Sequence, residues 1–129
     1  MAIRIVRLGT PRHKNEGMRL GTVRRPPRGV RKERYAADDW YDVWLPNLAP
    51  TAALVATGRA AEDERAWKRF VKAYESEMKR PDNLRVIETL AALSHGADFS
   101  VGCYCEDERR CHRSLLREIL KRAGAKVAD

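Results

Sequence analysis

Apolar and polar positions alternate over Ile3-Arg4-Ile5-Val6-Arg7-Leu8, and this β-branched run predicts a first strand. Gly9-Thr10-Pro11 ends it, and residues 11–18 read as a loop. Residues 19–24 predict a second strand, weakened by Gly21. Arg25-Pro26-Pro27-Arg28-Gly29 reads as a loop, because its two prolines remove backbone donors. Beyond it the apolar period lengthens to that of a helix. Asp38 or Asp39 is placed to cap a short helix presenting Trp40 and Trp44 four residues apart, with Pro46 as its stop. Residues 47–59 look irregular. Trp67, Phe70, Val71, Tyr74 and Met78 line one face of an amphipathic helix over 62–79, and Glu62, Asp63 and Glu64 sit at its favourable N-terminal end. Pro81 and Asp82 interrupt. Leu84, Ile87, Leu90 and Ala91 predict a helix over 83–95 closed by Gly96. Residues 99–105 predict a third strand, buried between helices. A charged loop over 106–110 leads to a last helix over 111–123, packed through Leu115, Leu116, Ile119 and Leu120.

This order of elements predicts an α/β fold: a small three-layer sandwich with a largely parallel central sheet flanked by helices, formed by residues 1–129 as one domain. In such sheets ligands bind beyond the carboxyl ends of the strands, where strand turns into helix.

Composition narrows the function. The chain has 129 residues, 43% hydrophobic and 34% charged, enough for a packed core without disulfides. No apolar run approaches the ~18–20 residues that cross a bilayer. Residues 1–7 lack the apolar stretch of a secretory signal, so the expected compartment is the cytoplasm, with no membrane partner. The net charge is +8. Its source is local: residues 1–35 carry eleven basic residues against two acids, whereas the remainder is nearly balanced. Such a segment suits a polyanion or a phosphorylated ligand, or else forms a solvated arginine-rich surface.

The segment richest in chemistry is Cys103-Tyr104-Cys105-Glu106-Asp107-Glu108-Arg109-Arg110-Cys111-His112-Arg113-Ser114. It starts on a strand end and runs into a helix N-terminus, where unpaired N–H groups and the helix dipole attract anions. Three readings compete. In the first, Arg113 and Ser114 bind an anion beside Cys111, whose thiolate the helix end, His112 and Arg113 would stabilise. In the second, Cys103, Cys105, Cys111 and His112 bind zinc, although this spacing is not that of the common structural sites. In the third, the cysteines are small apolar core residues. A phosphatase-type Cys-x5-Arg loop is absent, because Cys111 stands six positions after Cys105.

That segment, through Leu116, resembles the C-terminal signature of the YeaO-like family, a family of domains of unknown function (number 488). Arg24-Arg25-Pro26-Pro27-Arg28-Gly29-Val30-x-Lys32-Glu33 is similar to its Arg-Leu-Trp-Pro-Arg-Gly loop. Trp44-Leu45-x-x-Leu48-Ala49-Pro50 and Trp67-x-x-Phe70-x-x-x-Tyr74 are similar to its central helices. The resemblance implies a small cytoplasmic α/β protein and supplies no function. By position it marks Arg24, Arg28, Cys111, His112 and Arg113 as recurrent polar residues. Two positions depart from it: Val23 stands where the family usually has Asp, and Pro26 where it usually has Trp.

Together these readings give a leading expectation. A small anionic ligand is bound, and acted on, in a cleft between the Arg24–Arg28 loop and the 111–114 helix N-terminus. Arg24, Arg28, Arg113 and Ser114 would hold it; Cys111 would be the nucleophile and His112 the acid or base. No cofactor is required. The alternatives are a nucleic-acid-binding module built on the basic segment and a zinc-binding or thiol redox-sensing protein.

Overall fold

The structure is a computed structural model that describes residues 1–128, the Arg109 side chain aside. Four strands form one sheet: β1 (Ile3–Arg7), β2 (Met18–Gly21), β3 (Val43–Trp44) and β4 (Phe99–Cys103). Their order is β1-β4-β2-β3, and every pairing is parallel. The strand β4 is buried along its whole length at the centre, with Val101 opposite Ile5 on one side and Leu20 on the other. Four helices complete the α/β sandwich: α1 (Ala52–Arg59), α2 (Glu64–Met78), α3 (Pro81–Leu93) and α4 (His112–Arg122). Among the described residues, no helix is long and apolar enough to cross a membrane.

The apolar interior falls into two clusters. Ile3, Leu20, Phe99 and Val101 pack with Phe70, Tyr74, Met78, Ile87, Leu116 and Leu120 from the helices. The other cluster joins Leu8, Val23 and Tyr41 to Cys103 and Cys111, with Trp40 and Tyr104 packed against it. Its neighbour on the sheet is polar. Arg19 and Glu16 are both buried and meet in a two-bonded ion pair of 2.6 and 2.9 Å. Ser100 donates to the same carboxylate at 2.7 Å.

Two expected elements differ. No helix presents Trp40 and Trp44. Asp39 takes a left-handed backbone (φ 63°), which a helix cannot continue through, and Val43–Trp44 instead pairs with β2 as the edge strand. Trp44 donates its indole N–H to the Val23 carbonyl at 2.7 Å. Second, the stretch read as irregular contains α1. Thr51 caps it by accepting from the Leu54 N–H, and Gly58 lets the helix lie against Phe70, whose ring would be 2.7 Å from an added Cβ. The second strand is also shorter than expected, ending at Gly21, and the strand expected third is fourth in chain order.

Candidate functional site at the carboxyl edge of the sheet

β4 ends at Cys103, and the chain passes through Tyr104, Cys105 and a 3-10 turn (Glu108–Arg110) into α4. Cys111 is the N-cap of α4 and has an extended backbone, φ −130° and ψ 151°. Were both residues helical, neighbouring side chains would diverge. Because Cys111 lies outside the helix, its Sγ comes 3.7 Å from His112 Nδ1. His112 Nε2 lies 2.7 Å from the Thr22 carbonyl. A carbonyl only accepts, so Nε2 carries the hydrogen and Nδ1 turns its lone pair toward Cys111. Burial holds the imidazole pKa down at about 4, so the ring is neutral near pH 7.

Cys103 and Cys111 are buried, whereas Cys105 is exposed; all three thiols are free. Bonds to its two neighbours, followed by burial, push the Cys103 thiol far up. The Cys103 thiol draws Cys111 down, but the Cys105 thiol and burial outweigh this and bring it to about 11. The neighbouring Cys103 and Cys111 thiols, and then the charge of Arg113, hold the Cys105 thiol below its usual range against the effect of burial. Of the three, Cys105 is the exposed thiol and Cys111 is enclosed.

Arg113 is buried to 4% exposure. Its Nη2 donates to the Cys105 carbonyl at 2.7 Å, but its Nε is buried without a partner among the described residues. An orphaned donor on a buried cation is unfavourable and needs an explanation. Ser114 donates its hydroxyl hydrogen to the Cys111 carbonyl at 3.0 Å. Arg117 grips Glu108 through two bonds of 2.8 and 2.9 Å, bracing the turn that precedes α4.

The loop after β2 reaches the same edge. His112 holds the Thr22 carbonyl, and the Tyr104 hydroxyl donates to the Arg25 carbonyl at 2.8 Å. Arg28 is exposed on this loop. Arg24 is engaged elsewhere, with Nε donating to Pro50 and Nη2 to Pro46 and Ala49, at 2.9–3.1 Å. It braces the chain after β3 beside a cavity of about 340 Å³ that Glu77, Arg80 and Asn83 also line. The structure thus brings Cys103, Cys105, Cys111, His112 and Arg113 together, with the Arg24–Arg28 loop tied alongside. Sequence reading passes over Thr22, which acts through its backbone and leaves no side-chain signal. It also passes over Tyr104, although that residue stands between two cysteines of the motif.

A family model described as the active DUF488-N3 subclade (DUF488-N3a) matches residues 3–124. The chain belongs to the DUF488 family. The match runs from the first residue of β1 through the end of α4, in keeping with the YeaO-like resemblance of the motif. Comparisons with curated proteins and with solved structures find no match. In this DUF488 protein Val23, standing where YeaO-like chains usually have Asp, is buried against Cys103 and Cys111. That position supplies no carboxylate base beside the thiols.

Proposed function

We propose that this DUF488 protein binds a small anionic ligand, phosphorylated or otherwise, at the N-terminus of α4, and acts on it through the adjacent thiol and imidazole groups. The unpartnered Nε of buried Arg113 carries this reading. A buried guanidinium with a spare donor at a helix N-terminus is built to receive an oxyanion. Arg28 adds charge from the tied loop, while Arg24 shapes that loop. Cys105 is the thiol open to a ligand, and His112 Nδ1 faces Cys111 as a proton acceptor. Free thiols of this kind persist in a reducing compartment, which fits the cytoplasm.

The nucleic-acid alternative has less support. Of the eleven basic residues in the first 35, Arg7 pairs with Glu106, Arg12 with Asp42, Arg19 with Glu16 and Arg34 with Asp38, Arg24 binds carbonyls, and Arg4 is half-buried on β1. Lys14 is exposed by itself, and Arg25, Arg28, Arg31 and Lys32 remain exposed as a short basic stretch.

Calorimetric titration of the full chain with inorganic phosphate tests the proposal. One site is expected, and Arg113→Lys should weaken it by about 1.5–3 kcal/mol, the worth of a charge-assisted bond. No heat with phosphate, together with salt-sensitive binding of a single-stranded oligonucleotide, would transfer the function to the basic stretch.

A further inference from the structure

We propose that Cys103, Cys111 and His112 form a three-ligand site for a zinc-class divalent ion. The inference goes beyond the anion reading and does not depend on it; an ion bound here takes the Nδ1 lone pair, so His112 serves as a proton acceptor only in the ion-free chain. One ligand atom from each of these residues lies within 4.8 Å of the other two, and all three residues are buried. An ion at ~2.3 Å from sulfur and ~2.0 Å from nitrogen, with tetrahedral angles, separates its donors by roughly 3.5–3.8 Å. The 3.7 Å between Cys111 Sγ and His112 Nδ1 already matches that spacing.

The second observation is the orientation of the imidazole. Metal-bound histidines commonly donate the other ring N–H to a carboxylate or a backbone carbonyl, which fixes tautomer and ring plane. His112 does this with Thr22 at 2.7 Å and so presents the bare Nδ1 lone pair to the thiols. A ligand that needs no deprotonation is ready beside two that lose only their thiol hydrogens, released to solvent as the ion binds.

Sequence spacing argues against a zinc site because Cys103 and Cys111 are eight positions apart. The fold removes that objection. Cys103 is the last residue of a central strand, Cys111 is the extended cap of the helix that follows, and the 3-10 turn between them folds the intervening chain back. Two sulfurs and one imidazole favour zinc over magnesium or calcium, which take oxygen donors. Cys105 stays outside the triad as the exposed thiol. Three protein ligands leave a fourth coordination position for an exchangeable group, the pattern of reactive rather than structural zinc.

The test is a Zn²⁺ titration of the reduced, metal-free full chain against a chromophoric chelator, with Co²⁺ as a spectroscopic substitute. Uptake of one ion per chain is expected, with thiolate-to-cobalt charge-transfer bands and protection of Cys103 and Cys111 from alkylation in a mass-spectrometric map. Cys105→Ser should retain the ion, whereas Cys103→Ser and Cys111→Ser should lose it. Where a serine variant fails to fold, the alkylation map of the wild-type chain with and without Zn²⁺ still decides. No stoichiometric uptake, equal labelling in both states, or loss of the ion in Cys105→Ser alone would overturn the assignment. Phosphate calorimetry on the zinc-free chain reads the anion site separately, so either reading can fail without the other.

Discussion

At the scale of single residues, Glu16 offers the clearest energetic statement. Burial alone would raise its pKa, but bonds from Arg19, Ser100 and the His13 N–H outweigh this and bring it down to about 2, from an ordinary 4.5. A depressed carboxylate stabilises the fold above its ordinary pKa and loses that contribution as pH falls toward the folded value. Glu16→Gln should cost about 3 kcal/mol near neutral pH, because it strands the buried Arg19 guanidinium. The stability gap between wild type and variant should then narrow as pH drops from 4.5 toward 2. Denaturant unfolding at several pH values measures both; a gap that does not change with pH would contradict the assignment. Nothing in the sequence pattern pairs Glu16 with Arg19 or announces that either is buried. Arg24 is similarly ambiguous: an arginine in a basic loop reads as a ligand-holding cation, yet the fold commits it to three carbonyls.

Among the elements, the long helices are legible because their apolar residues repeat at helical spacing over several turns. That signal fails in α1, where only Leu54 is buried and most neighbours are small. Its mark lies at the end, in Thr51, whose Oγ1 accepts from Leu54 N–H and donates to Glu77 at 2.7 Å. Thr51→Ala should therefore lower stability by roughly 1 kcal/mol through loss of the cap. An unchanged denaturant midpoint would show that packing alone holds α1. The Trp40–Trp44 spacing misleads for a related reason. Two aromatics four apart satisfy a helix, but they equally suit a loop that covers one sheet face and then enters an edge strand. Asp39 decides between these through its left-handed backbone.

In the whole molecule, the helices between β3 and β4 are legible in the sequence as a crossover, whereas β1, β2 and β3 are joined by chain without an α-helix, so their parallel pairing is not. The motif around Cys111 is also visible there, including its place at a strand-to-helix junction. Hidden until the fold closes is the convergence of two loops, from β2 and β4. Thr22 and Arg25 contribute main-chain oxygens to His112 and Tyr104, their partners 90 and 79 residues further along the chain, and backbone acceptors have no residue type to read. The assembled edge places the spare Arg113 donor, the exposed Cys105 thiol and the first turn of α4 in one region. Soaking crystals of the full chain with phosphate tests that arrangement most directly. An ordered anion bonded to Arg113 Nε and to N–H groups of residues 112–114 is expected. An empty α4 N-terminus, with phosphate ordered only elsewhere on the surface, would contradict it.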